Sequence, residues 1–299
     1  MNKEEQVLRM TKIVSDFVGH VAKVLPDDVQ EKITELANDE RNPLAKTIYA
    51  TMKENMKLAK ELSRPSCQDT GVLQYWVKVG ANYPLLGELE SILRNATYQA
   101  TQETPLRHNC VETFDEYNTG KNIGTLAPYI LWDIVPDRDD VEIFPYMAGG
   151  GCSLPGSGKT LMPGEGYEGV AKFVLDLMTS YGLNACPPLL IGVGVATSID
   201  TAALLSKKAL MRPVSSIAPN ERAAKMEQLL EDGINSLHIG PQGMGGDKCL
   251  LGVNIEHGAR HPSVISVAVN VGCWNHRRGH MVFDKDGQCT ILSHSGVTY

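Results

Sequence analysis

The sequence lacks a basic surplus, a long apolar run and an N-terminal export signal. Its formal net charge is -7, whereas nucleic-acid-binding proteins usually present a concentrated basic surface. No apolar stretch reaches the roughly 18 residues that a membrane-spanning helix needs. The opening residues, MNKEEQVLRM, are charged from the start and contain no apolar signal-peptide core. These absences argue against nucleic-acid-binding and membrane classes, and we expect a cytoplasmic protein.

The sequence contains seven cysteines but no C-x-x-C motif. An odd, scattered set without an export signal argues against a disulfide framework, a zinc ribbon or a thioredoxin-like motif. Free cysteine is usually a small buried hydrophobe, so most of the seven are expected in the core. The seven are Cys67, Cys110, Cys152, Cys186, Cys249, Cys273 and Cys289.

A phosphate-binding loop is present only in part. The segment GSGKT at residues 156–160 ends like such a loop, but Ser153 stands where the first glycine is required. Pro163 falls in what would be the first turn of the following helix, and proline lacks the N–H that should face a phosphate. The sequence therefore argues against nucleotide binding and leaves the nearby glycines for another role.

What the sequence does contain is the pattern of an α/β protein. Apolar residues three and four apart, such as Val7, Val14 and Phe17, predict helices with one core-facing stripe. Beyond Cys67, apolar β-branched strands alternate irregularly with helices. We therefore predict a helical N-terminal region over 1–64, followed by a mixed-sheet α/β domain over 65–299. Strands are expected within 72–80, 127–136, 140–149, 188–197 and 263–272, and helices within 84–101, 166–182 and 220–237 and directly after Ser198.

Polar, glycine-rich connections separate these elements, and such connections usually carry functional side chains. Three of them place a cysteine at the end of an element, since Cys67 and Cys186 precede strands and Cys273 follows one. Backbone N–H groups in such turns stabilise the thiolate, which is the form that binds metal. Cys152, beside a triple glycine, is a rival, so spacing alone does not select the three.

The connecting segments, taken in order, resemble a known family. Between about residues 40 and 280 the chain contains CQDTG, PLRHN, NTGKN, AGGG, NACPP, HIGPQG, ARHPS and GCWNHRRG. Their set and order resemble the α part of class I iron–sulfur hydro-lyases, which include fumarases and tartrate dehydratases. YMAGGGCSLPG, LMPGEGYEGV and CWNHRRG are more similar to the tartrate branch. The resemblance implies removal of water from L(+)-tartrate to give oxaloacetate. The alternatives are malate–fumarate interconversion and, more distantly, a non-catalytic iron–sulfur protein.

The resemblance also implies a cofactor, a [4Fe–4S] cluster with one iron not ligated by cysteine. By motif, its three ligands fall on Cys67, Cys186 and Cys273. An iron without a protein thiolate can bind the substrate's hydroxyl and a carboxylate oxygen and act as a Lewis acid. Cys110, Cys249 and Cys289 keep their interpretation as core thiols.

Substrate-binding residues follow from the same motifs and from what a small dicarboxylate requires. Arg107 matches the family's substrate-binding arginine, and arginine grips a carboxylate bidentately. Gln68 matches a side chain that also contacts substrate. Gly150 and Gly151 match a turn whose backbone N–H groups hold a carboxylate oxygen. Glycine has no Cβ, so the carboxylate can approach the backbone closely.

Two residues match the family's acid–base pair. Asp69 is assigned to proton abstraction beside a carboxylate, and His261 to the departing hydroxyl. Each has a simpler interpretation: Asp69 can cap the turn before Gly71, and His261 can be a packed, hydrogen-bonded imidazole.

A partner is implied because longer family members carry a further C-terminal domain that contacts the substrate. No counterpart follows GCWNHRRG before Tyr299. The resemblance therefore implies a separate β subunit that completes the site, in an α2β2 heterotetramer acting on a small dicarboxylate.

Overall fold

A computed structural model describes residues 2–299, in which helices and two mixed sheets confirm the predicted α/β class. Three helices precede the first strand, as expected. The helices are α1 Lys3–Val21, α2 Asp27–Asp39, α3 Pro43–Glu61, α4 Leu89–Glu103, α5 Gly150–Ser153, α6 Gly166–Tyr181, α7 Ile199–Ala209 and α8 Glu221–Asn235. The strands are β1 Val72–Gly80, β2 Val111–Glu112, β3 Tyr117–Asn118, β4 Tyr129–Val135, β5 Val141–Ala148, β6 Ser157–Leu161, β7 Leu189–Ala196, β8 Leu250–His257, β9 Ile265–Gly272, β10 Met281–Phe283 and β11 Cys289–Ile291.

The chain divides into two compact units that alternate along the sequence. The first unit contains Met1–Asp27, Asn55–Gly149 and Arg277–Tyr299, and the second contains Asp28–Glu54 and Gly150–His276. The chain therefore enters each unit more than once. The division into domains 1–64 and 65–299 stays a prediction.

The first unit is built on a five-stranded sheet with the order β11-β10-β5-β1-β4. Strand β1 runs parallel to β4 and antiparallel to β5, which makes the sheet mixed. Alternate residues of β1, such as Leu73, Tyr75 and Val77, are buried against helices α1 and α4. From α1, Val14 and Phe17 enter the same core, which confirms the predicted apolar stripe.

The second unit is built on a four-stranded sheet with the order β6-β9-β7-β8. All eight residues of β7 are buried, as a strand covered on both faces requires. Helices α6 and α8 pack against the apolar residues of one face. Helix α7 approaches the other face closely, because a Cβ on Gly194 would lie only 1.9 Å from the carbonyl oxygen of Ala202.

The incomplete phosphate loop has a simple structural role. Its residues form β6, an edge strand that pairs antiparallel with β9. A strand in place of the loop-to-helix transition agrees with the expectation against nucleotide binding. The strands that the sequence pattern did not predict are β2, β3, β6, β8, β10 and β11. Within residues 2–299 no helix is both long and apolar enough to cross a membrane.

One histidine of the first unit is buried as a neutral ring. His294 is 2% exposed. Its Nε2 donates to the Val24 carbonyl at 3.1 Å, and its Nδ1 accepts from the Ser293 hydroxyl at 2.8 Å. Burial, opposed by the Val24 carbonyl and reinforced by His20, lowers the pKa of His294 to about 4.

This pKa predicts a loss of stability in mild acid. The unfolded chain takes up a proton near the ordinary histidine pKa, while the folded chain resists protonation down to about 4. The contribution of His294 to the free energy of unfolding is therefore fully present above the ordinary histidine pKa, and it decreases as the pH falls towards 4. Between pH 7 and pH 5 this one group should lower the free energy of unfolding by about 2 kcal/mol. Urea unfolding of wild type and His294→Asn at both pH values measures it. Equal pH dependence in the two proteins would contradict the prediction.

Candidate active site

The segment Cys67–Gly71 enters β1 and is fixed by its own glycine. Gly71 has a φ of +76°, and a Cβ there would lie 2.8 Å from the carbonyl carbon of Ala148 at the end of β5. Only glycine combines that left-handed backbone with so close an approach. Cys67 and Asp69 are half-buried and Gln68 is exposed. The motif CQDTG thus lies beside the start of β1 and the end of β5, which are neighbours in the sheet.

Asp69 is held from three directions within the first unit. Its Oδ1 accepts from the backbone N–H of Gly71 at 2.8 Å and from Asn109 Nδ2 at 3.3 Å. Its carbonyl oxygen accepts from Arg277 Nη2 at 2.7 Å. The turn-capping interpretation of Asp69 is therefore present in the structure. It does not exclude chemistry, because a fixed carboxylate is also what an oriented base requires.

Three of the predicted site residues line one cavity of about 380 Å³. They are Cys67, Gln68 and Arg107. The backbone N–H of Arg107 donates to the Thr70 hydroxyl at 2.9 Å, which ties the PLRHN motif to the CQDTG motif. The remaining lining residues are Arg64, Pro65, Thr70 and Pro105. Arg107 thus lines a cavity together with Cys67 and Gln68.

In the second unit, Cys186 and Cys273 belong to adjoining backbone segments. The N–H of Trp274, directly after Cys273, donates to the Cys186 carbonyl at 3.1 Å. Cys186 has a φ of +57°, a left-handed conformation that a non-glycine residue adopts at an energetic cost. Gln242 holds the next residue, because its N–H and its Nε2 donate to the Pro187 carbonyl at 3.0 and 2.9 Å.

The predicted glycine turn also lies in the second unit. Gly150 and Gly151 begin the single helical turn α5 and are both exposed. The carbonyl of Gly150 accepts from Leu154 N at 3.1 Å. A Cβ on Gly151 would lie 3.1 Å from the Asn184 carbonyl oxygen, so this residue packs against the segment that leads to Cys186.

His261 lies in an exposed turn whose backbone is held by Arg260. Nη1 of Arg260 donates to the carbonyls of His261, Pro262 and Val264 at 3.1 to 3.3 Å. The ring nitrogen Nδ1 of His261 accepts from the Ser263 N–H at 3.1 Å. In the neutral ring the proton then lies on Nε2, so Nε2 is the nitrogen that can donate a proton.

The expectation that most of the seven cysteines lie in the core is wrong, because only Cys110, Cys249 and Cys273 are buried. Of the three interpreted as core thiols, Cys289 is only partly buried. Burial raises the pKa of Cys249 to about 12 and that of Cys289 to about 11, and it also raises the pKa of Cys110. These thiols remain protonated at neutral pH, which suits core residues and disfavours metal binding. Cys152 is half-buried on α5 and stays a rival of the three predicted ligands.

Comparison with known proteins decides the family. Residues 11–282 match the model of the family described as fumarate hydratase (Fumerase). The chain is 53% identical over 294 residues, 98% of its length and 97% of the relative, to a protein named L(+)-tartrate dehydratase subunit alpha from Escherichia coli strain K12.

The chain belongs to the fumarate hydratase family. The O157:H7 strain of E. coli has a relative of the same name with 54% identity and the same coverage. A protein named putative L(+)-tartrate dehydratase subunit alpha, from Methanocaldococcus jannaschii, is 33% identical over 91% of this chain and 96% of its own length. This fumarate hydratase family member is therefore a hydro-lyase.

The three predicted cysteine ligands have the chemistry that an iron–sulfur cluster requires. Thiolates are its usual ligands. Cys67 borders a cavity, and Cys186 and Cys273 lie on hydrogen-bonded segments. Next to the Cys67 segment, Nε and Nη1 of the buried Arg277 have no hydrogen-bond partner in the described chain, which suits a nearby anion. Within residues 2–299, no three His, Cys, Asp or Glu side chains form a ready-made metal-binding group. The cysteine ligand set stays a prediction.

Sequence reasoning missed the residues that orient the site. Asn109 contacts both Asp69 and the carbonyl of Gly71, the latter at 3.1 Å. Arg277 and Gln242 are not among the site residues predicted from the sequence. Asn109 and Gln242 lie inside the motifs PLRHN and HIGPQG, so the motifs contained the signal. Which backbone groups they hold depends on the fold.

The left-handed conformation of Cys186 predicts an unusual order of stability. Alanine at a left-handed position costs about 1–2 kcal/mol relative to glycine, while glycine is normally the less stable choice inside an ordered segment. We expect Cys186→Gly to be about 1 kcal/mol more stable than Cys186→Ala. Urea unfolding of the two cluster-free variants measures the difference. A more stable alanine variant would show that the backbone at Cys186 is not strained.

Proposed function

We propose that the chain is the α subunit of an L(+)-tartrate dehydratase, which removes water from L(+)-tartrate to give oxaloacetate. The observation that carries the proposal is identity above 50% across nearly the whole chain to proteins of that name. The cavity with an exposed arginine and amide suits a small dicarboxylate. A fumarate hydratase α subunit is the second candidate, favoured by the description of the matching family.

Binding of the dicarboxylate is assigned to Arg107, Gln68 and the glycine turn Gly150–Gly151. Arg107 at the cavity can hold one carboxylate through two parallel N–H donors. Gln68 is exposed at the same cavity and can donate to a carboxylate or hydroxyl oxygen. The backbone N–H groups of Gly150 and Gly151 are the proposed contacts for another carboxylate oxygen.

Proton transfer is assigned to Asp69 and His261. Asp69 would take the proton from the carbon next to a carboxylate, and its orientation is set by the contacts to Gly71 and Asn109. His261 would deliver the proton on Nε2 to the departing hydroxyl, because Nδ1 is engaged by Ser263. The enol product of this elimination becomes oxaloacetate by tautomerisation.

Cys67, Cys186 and Cys273 are the proposed ligands of a [4Fe–4S] cluster with one iron not ligated by cysteine. When bound, the cluster supplies a Lewis acid for the substrate's hydroxyl and carboxylate oxygens. A separate β subunit is the proposed partner, since the relatives are named as α subunits. We propose an α2β2 assembly.

The substrate assignment is tested by anaerobic assay of the chain together with its β subunit after reconstitution with iron and sulfide. We expect oxaloacetate to form from L-tartrate, measured as NADH oxidation in the presence of malate dehydrogenase. The second candidate is tested in parallel with malate and fumarate. Interconversion of malate and fumarate without any reaction of L-tartrate would reject the tartrate assignment in favour of the second candidate.

Substitutions at Asp69 separate catalysis from turn formation. Asparagine can still accept from the Gly71 N–H, so Asp69→Asn should stay within about 0.5 kcal/mol of wild-type stability. It cannot take up a proton, so kcat should decrease roughly 10²- to 10⁴-fold. Asp69→Ala loses both roles and about 1 kcal/mol of stability.

A matched control comes from a second aspartate that caps a turn in the same unit. Asp284 Oδ1 accepts from the N–H groups of Asp286 and Gln288 at 3.0 and 2.8 Å. Asp284→Asn should keep wild-type stability and activity. If Asp69→Asn also kept its activity, Asp69 would be a turn residue alone.

A further inference from the structure

Arg277 is a buried cation close to the candidate site. It is 2% exposed, and it lies between β9 and β10 in the motif CWNHRRG. Its backbone carbonyl accepts from Met147 N, on β5, at 3.1 Å. The main chain of Arg277 is therefore fixed to the five-stranded sheet, and its side chain leads to the Cys67–Gly71 segment.

The guanidinium of Arg277 is only partly satisfied. Nη2 donates to the Asp69 carbonyl at 2.7 Å, but Nε and Nη1 are buried without a hydrogen-bond partner anywhere in residues 2–299. No carboxylate in this part of the chain forms an ion pair with it. A buried charge without a counter-ion is strongly unfavourable, which is why buried arginines are normally paired.

A second arginine in the protein shows the usual arrangement. Nη1 of the largely buried Arg212 lies 3.0 Å from Glu227 Oε1, and it also donates to the Ile255 carbonyl at 3.0 Å. Glu227 in turn accepts from Ala218 N and Ile255 N. Nη2 of Arg212 also has no hydrogen-bond partner among the described residues, but Arg212 has a carboxylate of opposite charge in the same unit, whereas Arg277 has a carbonyl oxygen alone.

The position of Arg277 indicates where its counter-ion belongs. Asp69, whose carbonyl it contacts, is two residues from Cys67, so the two Cα atoms are at most about 7 Å apart. The guanidinium of Arg277 therefore contacts the short segment that carries Cys67, and an unpaired charge in a protein interior interacts strongly with a nearby anion. Cys67, Gln68 and Thr70 of this segment line the cavity described above.

We propose that Arg277 is a positioning residue whose charge is balanced by the anionic iron–sulfur cluster bound through Cys67. This rests on the proposed function. Three thiolates outweigh the positive charge of the usual cluster core, so the ligated cluster is a net anion. Arg277 holds the backbone of Asp69, and cluster binding removes the unfavourable isolation of its charge. Cluster retention is thereby coupled to the geometry of the proposed base.

The alternative is a purely structural role, in which Arg277 serves only to hold the Asp69 carbonyl. The two roles differ in the cluster-free protein. If the charge awaits an anion, replacing it with an apolar side chain of similar size is neutral or stabilising there. If Arg277 is only structural, the same replacement is destabilising.

The test compares wild type, Arg277→Met and Arg277→Lys, with Arg212→Met as the matched control. Urea unfolding of the cluster-free proteins should give Arg277→Met a midpoint equal to or above that of wild type. Arg212→Met should unfold at lower urea, because it leaves Glu227 buried and unpaired. After anaerobic reconstitution, Arg277→Met should lose iron to a chelator roughly tenfold faster than wild type. Arg277→Lys keeps the charge and should restore most of the retention.

Two results would overturn the inference in distinguishable ways. In the first, the Arg277→Met variant without the cluster is less stable than wild type, yet it retains iron equally well per folded molecule. That result would show a structural role and leave the proposed function intact. A wild-type protein that takes up no cluster, with or without the β subunit, would reject the proposed cofactor together with the role of Arg277.

Discussion

The candidate site depends on backbone carbonyls and turns that side chains from other segments of the same unit hold in place. Arg277 and Asn109 hold the segment from Cys67 to Gly71. Gln242 holds the residue after Cys186. These connections lack the regular backbone hydrogen bonds of helices and strands. Hydrogen bonds from buried or half-buried side chains therefore hold them in one conformation. Without it, the functional side chains would have no fixed direction.

This arrangement explains how an α/β scaffold can serve a dehydration. Each unit contains a sheet with helices packed against it, and most of the proposed site residues lie on the connections between elements. An exposed arginine suits a carboxylate, a clamped aspartate suits proton abstraction, and a histidine with Nδ1 engaged presents Nε2–H. The identity of the chain as a hydro-lyase agrees with this set of groups.

The sequence predicted most elements with strong apolar patterning, but it missed the exposed strand β6 and also the buried strand β8. The apolar stripe of α1 and the apolar strand β7 were predicted correctly because the spacing of their apolar residues indicates which residues are buried. Strand β6 was missed because GSGKT is polar and exposed at a sheet edge. At the site, motif resemblance supplied Cys67 and Arg107, which the fold places at one cavity. The role of Arg277 depends on a contact across 208 residues of sequence, which no local pattern reveals.

The most direct test is the iron and sulfide content of seven single Cys→Ser variants, purified and reconstituted without air. The account predicts that serine at three positions abolishes a stable cluster, while the others retain near wild-type content. The three are Cys67, Cys186 and Cys273, and the four are Cys110, Cys152, Cys249 and Cys289. A full cluster in any of the first three, or its loss in Cys152→Ser alone, would contradict the ligand assignment on which the proposed chemistry rests.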